Sequence, residues 1–177
     1  MPYLAAAVVL LGALTVLNLL LTVTIIRRLR DQPQHDHDRD EAAALPFSLL
    51  ETGTPVPAVQ AADLAGRPVD FTGGTTVVGF FSGSCQSCRA HVEPFLAYVR
   101  GRAVTDAVAV VSGDAAEGAD LVAALREHVR VVAEPADGRL AAAFKVGVFP
   151  TFYLVGPDAT VAAGHTSIRA LPAPVAA

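Results

Sequence analysis

The sequence predicts an α/β domain, a mixed sheet flanked by helices, behind an N-terminal transmembrane helix. Three observations carry this reading. Residues 4–26 contain no charged side chain. From about residue 55, short apolar runs alternate with amphipathic stretches, and the last two runs flank Gly156-Pro157-Asp158-Ala159. Strands separated by helices early and a hairpin late give a mixed sheet with helices on both faces. Finally, Cys85-Gln86-Ser87-Cys88 follows an apolar run and precedes a helical pattern. That is the carboxyl end of a strand, where open α/β sheets carry their active groups.

The uncharged run is long enough to cross a hydrocarbon core of roughly 30 Å. A cleaved signal peptide would need basic residues before a shorter apolar stretch. Here Arg27, Arg28 and Arg30 follow the run and none precedes it. Residues 1–29 therefore read as a retained single-pass anchor in the cell membrane. Residues 30–50 read as a polar linker, in which His35-Asp36-His37-Asp38 is a charged tether rather than a metal site. Residues 51–170 form the domain, about 120 residues and ample for one core. Residues 171–177 read as a frayed Pro/Ala-rich tail. Taken alone, arginines after the span put the domain in the cytoplasm.

Within the domain, 59–63 and 69–71 resemble a hairpin or extended entry, and Gly73-Gly74 turns the chain. Residues 76–81 are continuously apolar and predict a central strand. Residues 86–99 read as a helix, with a kink expected at Pro94. A buried strand at 107–111 precedes a helix at 119–128, with Leu121, Val122 and Leu125 on one face. Residues 129–133 are a short strand, and 139–144 a helix ending near Gly147. Residues 151–155 and 160–163 are antiparallel strands about the Gly-Pro-Asp turn.

The chain has 13 Lys and Arg against 17 Asp and Glu, a formal charge of −4. It has no basic stripe outside 27–30, so nucleic acid is excluded as a partner. Cys85 and Cys88 are its only cysteines. Structural zinc wants four ligands, and His91, His128 and His165 form no second paired motif. A structural disulfide is the other plain reading. Reversible closure of the two thiols fits the strand-to-helix setting best. The first sulfur falls at a helix N-terminus, where unpaired N–H groups favour the thiolate.

Residues 76–94, read with Val148-Phe149-Pro150-Thr151-Phe152-Tyr153, resemble the thioredoxin superfamily. Thr54-Pro55-Val56-Pro57 and the stretch 63–69 resemble its membrane-anchored TlpA/ResA-like thiol–disulfide proteins. The layout of span, arginines and domain is similar to the MauD-like branch of methylamine-utilisation accessory proteins. The resemblance implies a thioredoxin-like fold, Cys85 as nucleophile and Cys88 as resolving thiol. It implies a cis peptide before Pro150 and a substrate groove formed by Ser84, Phe149, Pro150 and Thr151. It implies no cofactor and no metal. The implied partners are a protein dithiol/disulfide client, a membrane or soluble dithiol electron donor, and the lipid bilayer. It also implies a domain outside the cytoplasm, against the arginine pattern.

Three positions depart from the family. Ser84 stands where tryptophan is usual. Gly79 stands where thioredoxin has a buried aspartate that helps deprotonate the resolving thiol. Only thirteen residues follow Gly164, with Pro172 and Pro174 among them, so the last family helix is expected to be truncated or missing. The competing function is a non-enzymatic, membrane-anchored maturation factor for a cysteine-rich client. Copper delivery would want a CxxxC with a positioned histidine, and the spacing at Cys85 does not match. A peroxidase would carry a single attacking cysteine in another loop context.

Overall fold

The structure is a computed structural model that describes residues 12, 14, 15, 49–102 and 104–174. The chain divides into two units, 1–41 and 42–177. In the first, Gly12, Leu14 and Thr15 are helical. Among the described residues no helix is long and apolar enough to cross a membrane. The rest of the expected span, Arg27, Arg28, Arg30 and nearly all of the polar linker lie outside the described residues.

The second unit is built on β1, Thr76–Ser82, whose seven residues are all buried. A continuous apolar run of this kind belongs to a strand covered on both faces. Both its edges are paired as well. β2 (Asp106–Ser112) runs parallel to it, with Thr76 opposite Asp106 and Ser82 opposite Ser112. β4 (Thr151–Val155) runs antiparallel, with Phe80 opposite Thr151. β3 (Arg130–Glu134) extends the sheet beyond β2, and β5 (Val161–His165) beyond β4. The order is β3-β2-β1-β4-β5, a mixed sheet of five strands.

Strand alternation divides the core in two. Val77 and Phe81 point to one face, where they meet Cys88, Phe95 and Leu96 of α1 (Gln86–Gly101) and Leu121 and Leu125 of α2 (Ala119–Arg126). Val78 and Phe80 point to the other, against Leu140 and Ala141 of α3 (Arg139–Ala143), Phe144, and Leu50, Val56 and Phe71 of the lead-in. Tyr153 ties this second face together. Its hydroxyl donates to the Phe144 carbonyl at 2.9 Å and accepts the Leu50 N–H at 3.1 Å.

The lead-in closes, as expected, on a short antiparallel pairing: Ala62 bridges Pro68, the Asp63 N–H donates to the Arg67 carbonyl at 2.9 Å and the Val69 N–H to the Ala61 carbonyl at 2.9 Å. The Asp63 carboxylate takes further donors of the loop, accepting the N–H groups of Ala65 and Arg67 at 2.9 Å, Arg67 Nε at 2.8 Å and Arg130 Nε at 3.2 Å. Burial opposes ionisation of Asp63, but these donors outweigh it and hold its pKa at about 2. Helix α1 is one element of 16 residues with Pro94 inside it. Residue 171, expected to begin a frayed tail, is instead anchored: a 3-10 turn (Ile168–Ala170) lays Leu171, 4 % exposed, into the α1 face of the core. The Tyr98 hydroxyl then donates to the Pro172 carbonyl at 2.5 Å.

Candidate active site

β1 ends at Ser82, and its chain turns through Gly83 and Ser84 into α1. The turn is tight because backbone meets backbone. A Cβ on Gly83 would lie 2.7 Å from the Gly118 nitrogen, so only glycine fits. Gly83 N–H donates to the Ser112 carbonyl at 3.1 Å, and Cys85 N–H to the Ser82 carbonyl at 3.1 Å. Cys85 occupies the N-cap of α1 in extended conformation, and no side chain caps the helix. The first-turn donors of α1 are thereby left facing the Cys85 sulfur, which is the arrangement that favours a thiolate.

The two thiols have opposite environments. Cys85 is partly exposed, and Cys88 is fully buried beside Phe81 and Phe95. The Cys85 sulfur lies 3.1 Å from the Ser87 hydroxyl and donates to the Phe149 carbonyl at 3.5 Å. Partial burial opposes its ionisation. Hydrogen bonds from the Cys88 thiol, the Ser87 hydroxyl and the N–H groups of Cys88 and Ser87 outweigh burial and hold its pKa below that of an ordinary thiol. Burial raises Cys88 to about 12, and its hydrogen bond to Cys85 adds to the rise; the Ser82 N–H, donating to its sulfur at 3.5 Å, only partly offsets this.

Gly79 explains why no carboxylate helps Cys88. A Cβ there would come within 2.9 Å of both the Phe81 and Phe95 rings. Those rings pack edge to face at 5.6 Å, and Phe152 stacks on Phe95 at 5.9 Å. Aromatic carbon fills the space that an aspartate side chain would need.

The other expected groove residues converge on Cys85 to different degrees. The Phe149–Pro150 peptide is cis. Phe149 is half-buried, in contact with both halves of the core, and its carbonyl meets Cys85. Pro150 and Thr151 are buried, and Thr151 Oγ1 donates to the Val148 carbonyl at 2.7 Å. Thr151 thus shapes the loop before β4 rather than presenting its hydroxyl to solvent. Ser84 is exposed, with its hydroxyl 3.1 Å from that of Ser82. Sequence reasoning missed Ser87 as a partner of Cys85. It also missed Arg89, which binds Asp120 at 2.6 Å across 31 residues. No local signal in the chain announces that pairing.

No protein-family model and no curated protein matches this sequence. Solved structures do. The thioredoxin domain of a thiol–disulfide oxidoreductase from Bacteroides vulgatus matches with a TM-score of 0.56 at 22 % identity, over 65 % of this chain and 88 % of that one. A secreted disulfide oxidoreductase from Mycobacterium tuberculosis, homologous to E. coli DsbE, matches with a TM-score of 0.52 at 20 % identity, over 62 % and 83 %. StoA from Bacillus subtilis matches with a TM-score of 0.52 at 16 % identity, over 63 % and 90 %. The domain has the thioredoxin-like fold these proteins share.

Proposed function

We propose that the protein is a membrane-tethered thiol–disulfide oxidoreductase acting on protein clients through Cys85 and Cys88. The observation that carries this is the pairing of an accessible, acidified sulfur with a buried, basic one beside the Phe149 carbonyl. The Cys85 thiolate attacks a client disulfide, and the displaced client sulfur leaves as a thiolate. Cys85 is then bonded to the client and carries no charge, so its part in suppressing Cys88 ionisation disappears. Cys88 loses its proton to solvent and attacks Cys85. The mixed disulfide breaks, the second client thiolate leaves, and an intramolecular disulfide remains. The client gains two electrons and the protein loses two, which a dithiol donor must restore. The fold's kinship with the thiol–disulfide oxidoreductases above supports this class. Phe149 and Ser84, with Pro150 buried beneath them, would form the surface on which an extended client segment lies.

The test is reduction of the insulin disulfides by dithiothreitol, with the full chain in detergent as catalyst. The wild type should accelerate precipitation of the insulin B chain, and the Cys85→Ser, Cys88→Ser double variant should not. No acceleration above the dithiothreitol background by the wild type would favour the non-enzymatic maturation factor.

The tether and its orientation are part of the proposal. The uncharged length of residues 4–26 supports an anchor. The secreted neighbour from M. tuberculosis supports a domain outside the cytoplasm, against Arg27, Arg28 and Arg30. Carbonate-washed membranes should retain the chain, and a reporter fused after Ala177 that works only in the cytoplasm should stay silent. Release to the supernatant would remove the anchor, and an active reporter would reverse the orientation.

A further inference from the structure

Arg89 makes five hydrogen bonds, and they join two loops that the sheet alone does not hold together. A guanidinium presents its donors in a rigid planar fork. One edge grips α2: Nε lies 2.6 Å and Nη2 3.0 Å from the two oxygens of Asp120, and Nη2 also donates to the Glu117 carbonyl at 3.3 Å. The remaining nitrogen, Nη1, donates to the carbonyls of Gly83 at 3.2 Å and Cys85 at 3.4 Å. An isolated ion pair on a surface contributes little. This pair is set where Gly83 and Gly118 touch backbone to backbone, so its geometry governs the turn that carries Cys85.

We propose that Arg89 is the positioning residue of the thiol pair: its fork clamps the Gly83 and Cys85 carbonyls onto the entry of α2 and so fixes the Cys85 sulfur where Cys88 attacks it. The proposal rests on the thiol–disulfide reading above. Cys88 sits one residue before Arg89 and reaches Cys85 only across one helical turn, so any loosening of the 83–85 turn changes the distance that the resolving attack must cover. A second effect acts in the same direction. The charged and titratable groups acting on Cys88 are Cys85, which raises its pKa, and Arg89, which lowers it. Gly79 brings no carboxylate to that side, so Arg89 is the charge that favours the Cys88 thiolate.

The experiment follows resolution directly. The reduced full chain in detergent is mixed with one equivalent of 5,5′-dithiobis(2-nitrobenzoate). Attack by Cys85 releases one nitrothiobenzoate and leaves the other bonded to Cys85. Attack by Cys88 on Cys85 then breaks that bond, releases the second nitrothiobenzoate and closes the intramolecular disulfide. Stopped-flow absorbance gives the rate of the second release from pH 6 to 10. Arg89→Met removes both the fork and the charge, so it should slow the second release about tenfold at pH 7, most of it through the loosened 83–85 turn, and move the profile upward; a one-unit rise in thiolate pKa alone would change the rate only about threefold, because the more basic thiolate is the better nucleophile. Arg89→Lys restores a charge without the fork, so its profile should return toward wild type while its rate stays low. Asp120→Ala, at an exposed position whose side chain serves Arg89, should slow the release about threefold even if Arg89→Met fails to fold. Wild-type rates and profiles in all folded variants would overturn the proposal and leave Arg89 a structural residue, whatever their melting temperatures. A wild type that releases only one equivalent would instead remove the thiol–disulfide reading, and this proposal with it.

Discussion

Cys85→Ser is expected to abolish disulfide reduction, whereas Cys88→Ser is expected to attack clients and then stall as a mixed disulfide. The asymmetry follows from burial. Burial pushes the Cys88 thiol up to about 12, so it carries almost no thiolate at pH 7. A more basic thiolate is also a better nucleophile, which recovers roughly half of that loss on a logarithmic scale. Serine at 85 removes one cause of the raised pKa but not the larger one, burial. Cys88 is moreover fully buried, so a client disulfide has no path to it. In Cys88→Ser, Cys85 keeps its partial exposure, the Ser87 hydroxyl and the first-turn N–H groups of α1. Non-reducing electrophoresis of membranes expressing each variant checks this: adducts sensitive to dithiothreitol should accumulate with Cys88→Ser alone. Adducts on Cys85→Ser instead would reverse the roles.

Gly79→Asp is expected to destabilise the domain by more than about 3 kcal/mol, combining overpacking with an unpartnered buried polar group. A typical domain has only about 5–15 kcal/mol in total, so a loss of this size removes a large share of the stability and should lower the denaturant midpoint well below that of the wild type. The cause is the pair of ring carbons 2.9 Å from where the new Cβ would sit. Phe81 and Phe95 cannot both withdraw, because Phe152 packs against each of them. Gly79→Ala separates the two contributions: it meets the same rings without a carboxyl group and should cost about 1–3 kcal/mol. Denaturant midpoints of both variants provide the measurement, and a wild-type midpoint for Gly79→Ala would show that the rings yield. The consequence for function is direct. The aspartate that thioredoxin keeps at this position cannot be installed here without repacking the core, so this site must resolve its mixed disulfides without it.

Much of the domain is legible in the sequence because its signals are local. The run at 76–81 is apolar at every position, and β1 differs from it by one residue. The strand at 107–111 gains one residue at each end. CxxC at a strand-to-helix junction predicts an acidic first sulfur, and the structure agrees in direction. What escapes the sequence depends on contacts between distant segments. The pairing expected near residue 66 forms, but its tie to the sheet, Asp63 to Arg130 across 67 residues, has no local signal. Leu171 belongs to a Pro/Ala-rich tail by composition, yet the α1 face of the core offers it an apolar seat. Arg89 carries no local signal, and its role depends on the fold bringing Asp120 and the Gly83 carbonyl beside it. Pro150 falls between these cases: a family resemblance implies its cis peptide, which no spacing in this chain could.

The most direct test of the central claim is the rate of iodoacetamide alkylation against pH for the two single-thiol variants. Cys88→Ser, which retains Cys85, should react fast near neutrality, with an inflection below that of an ordinary thiol. Cys85→Ser, which retains Cys88, should react slowly at every pH up to 9 and show no inflection in that range. If Cys85→Ser leaves the faster-reacting thiol, the division of labour between the two sulfurs, and the mechanism built on it, is wrong.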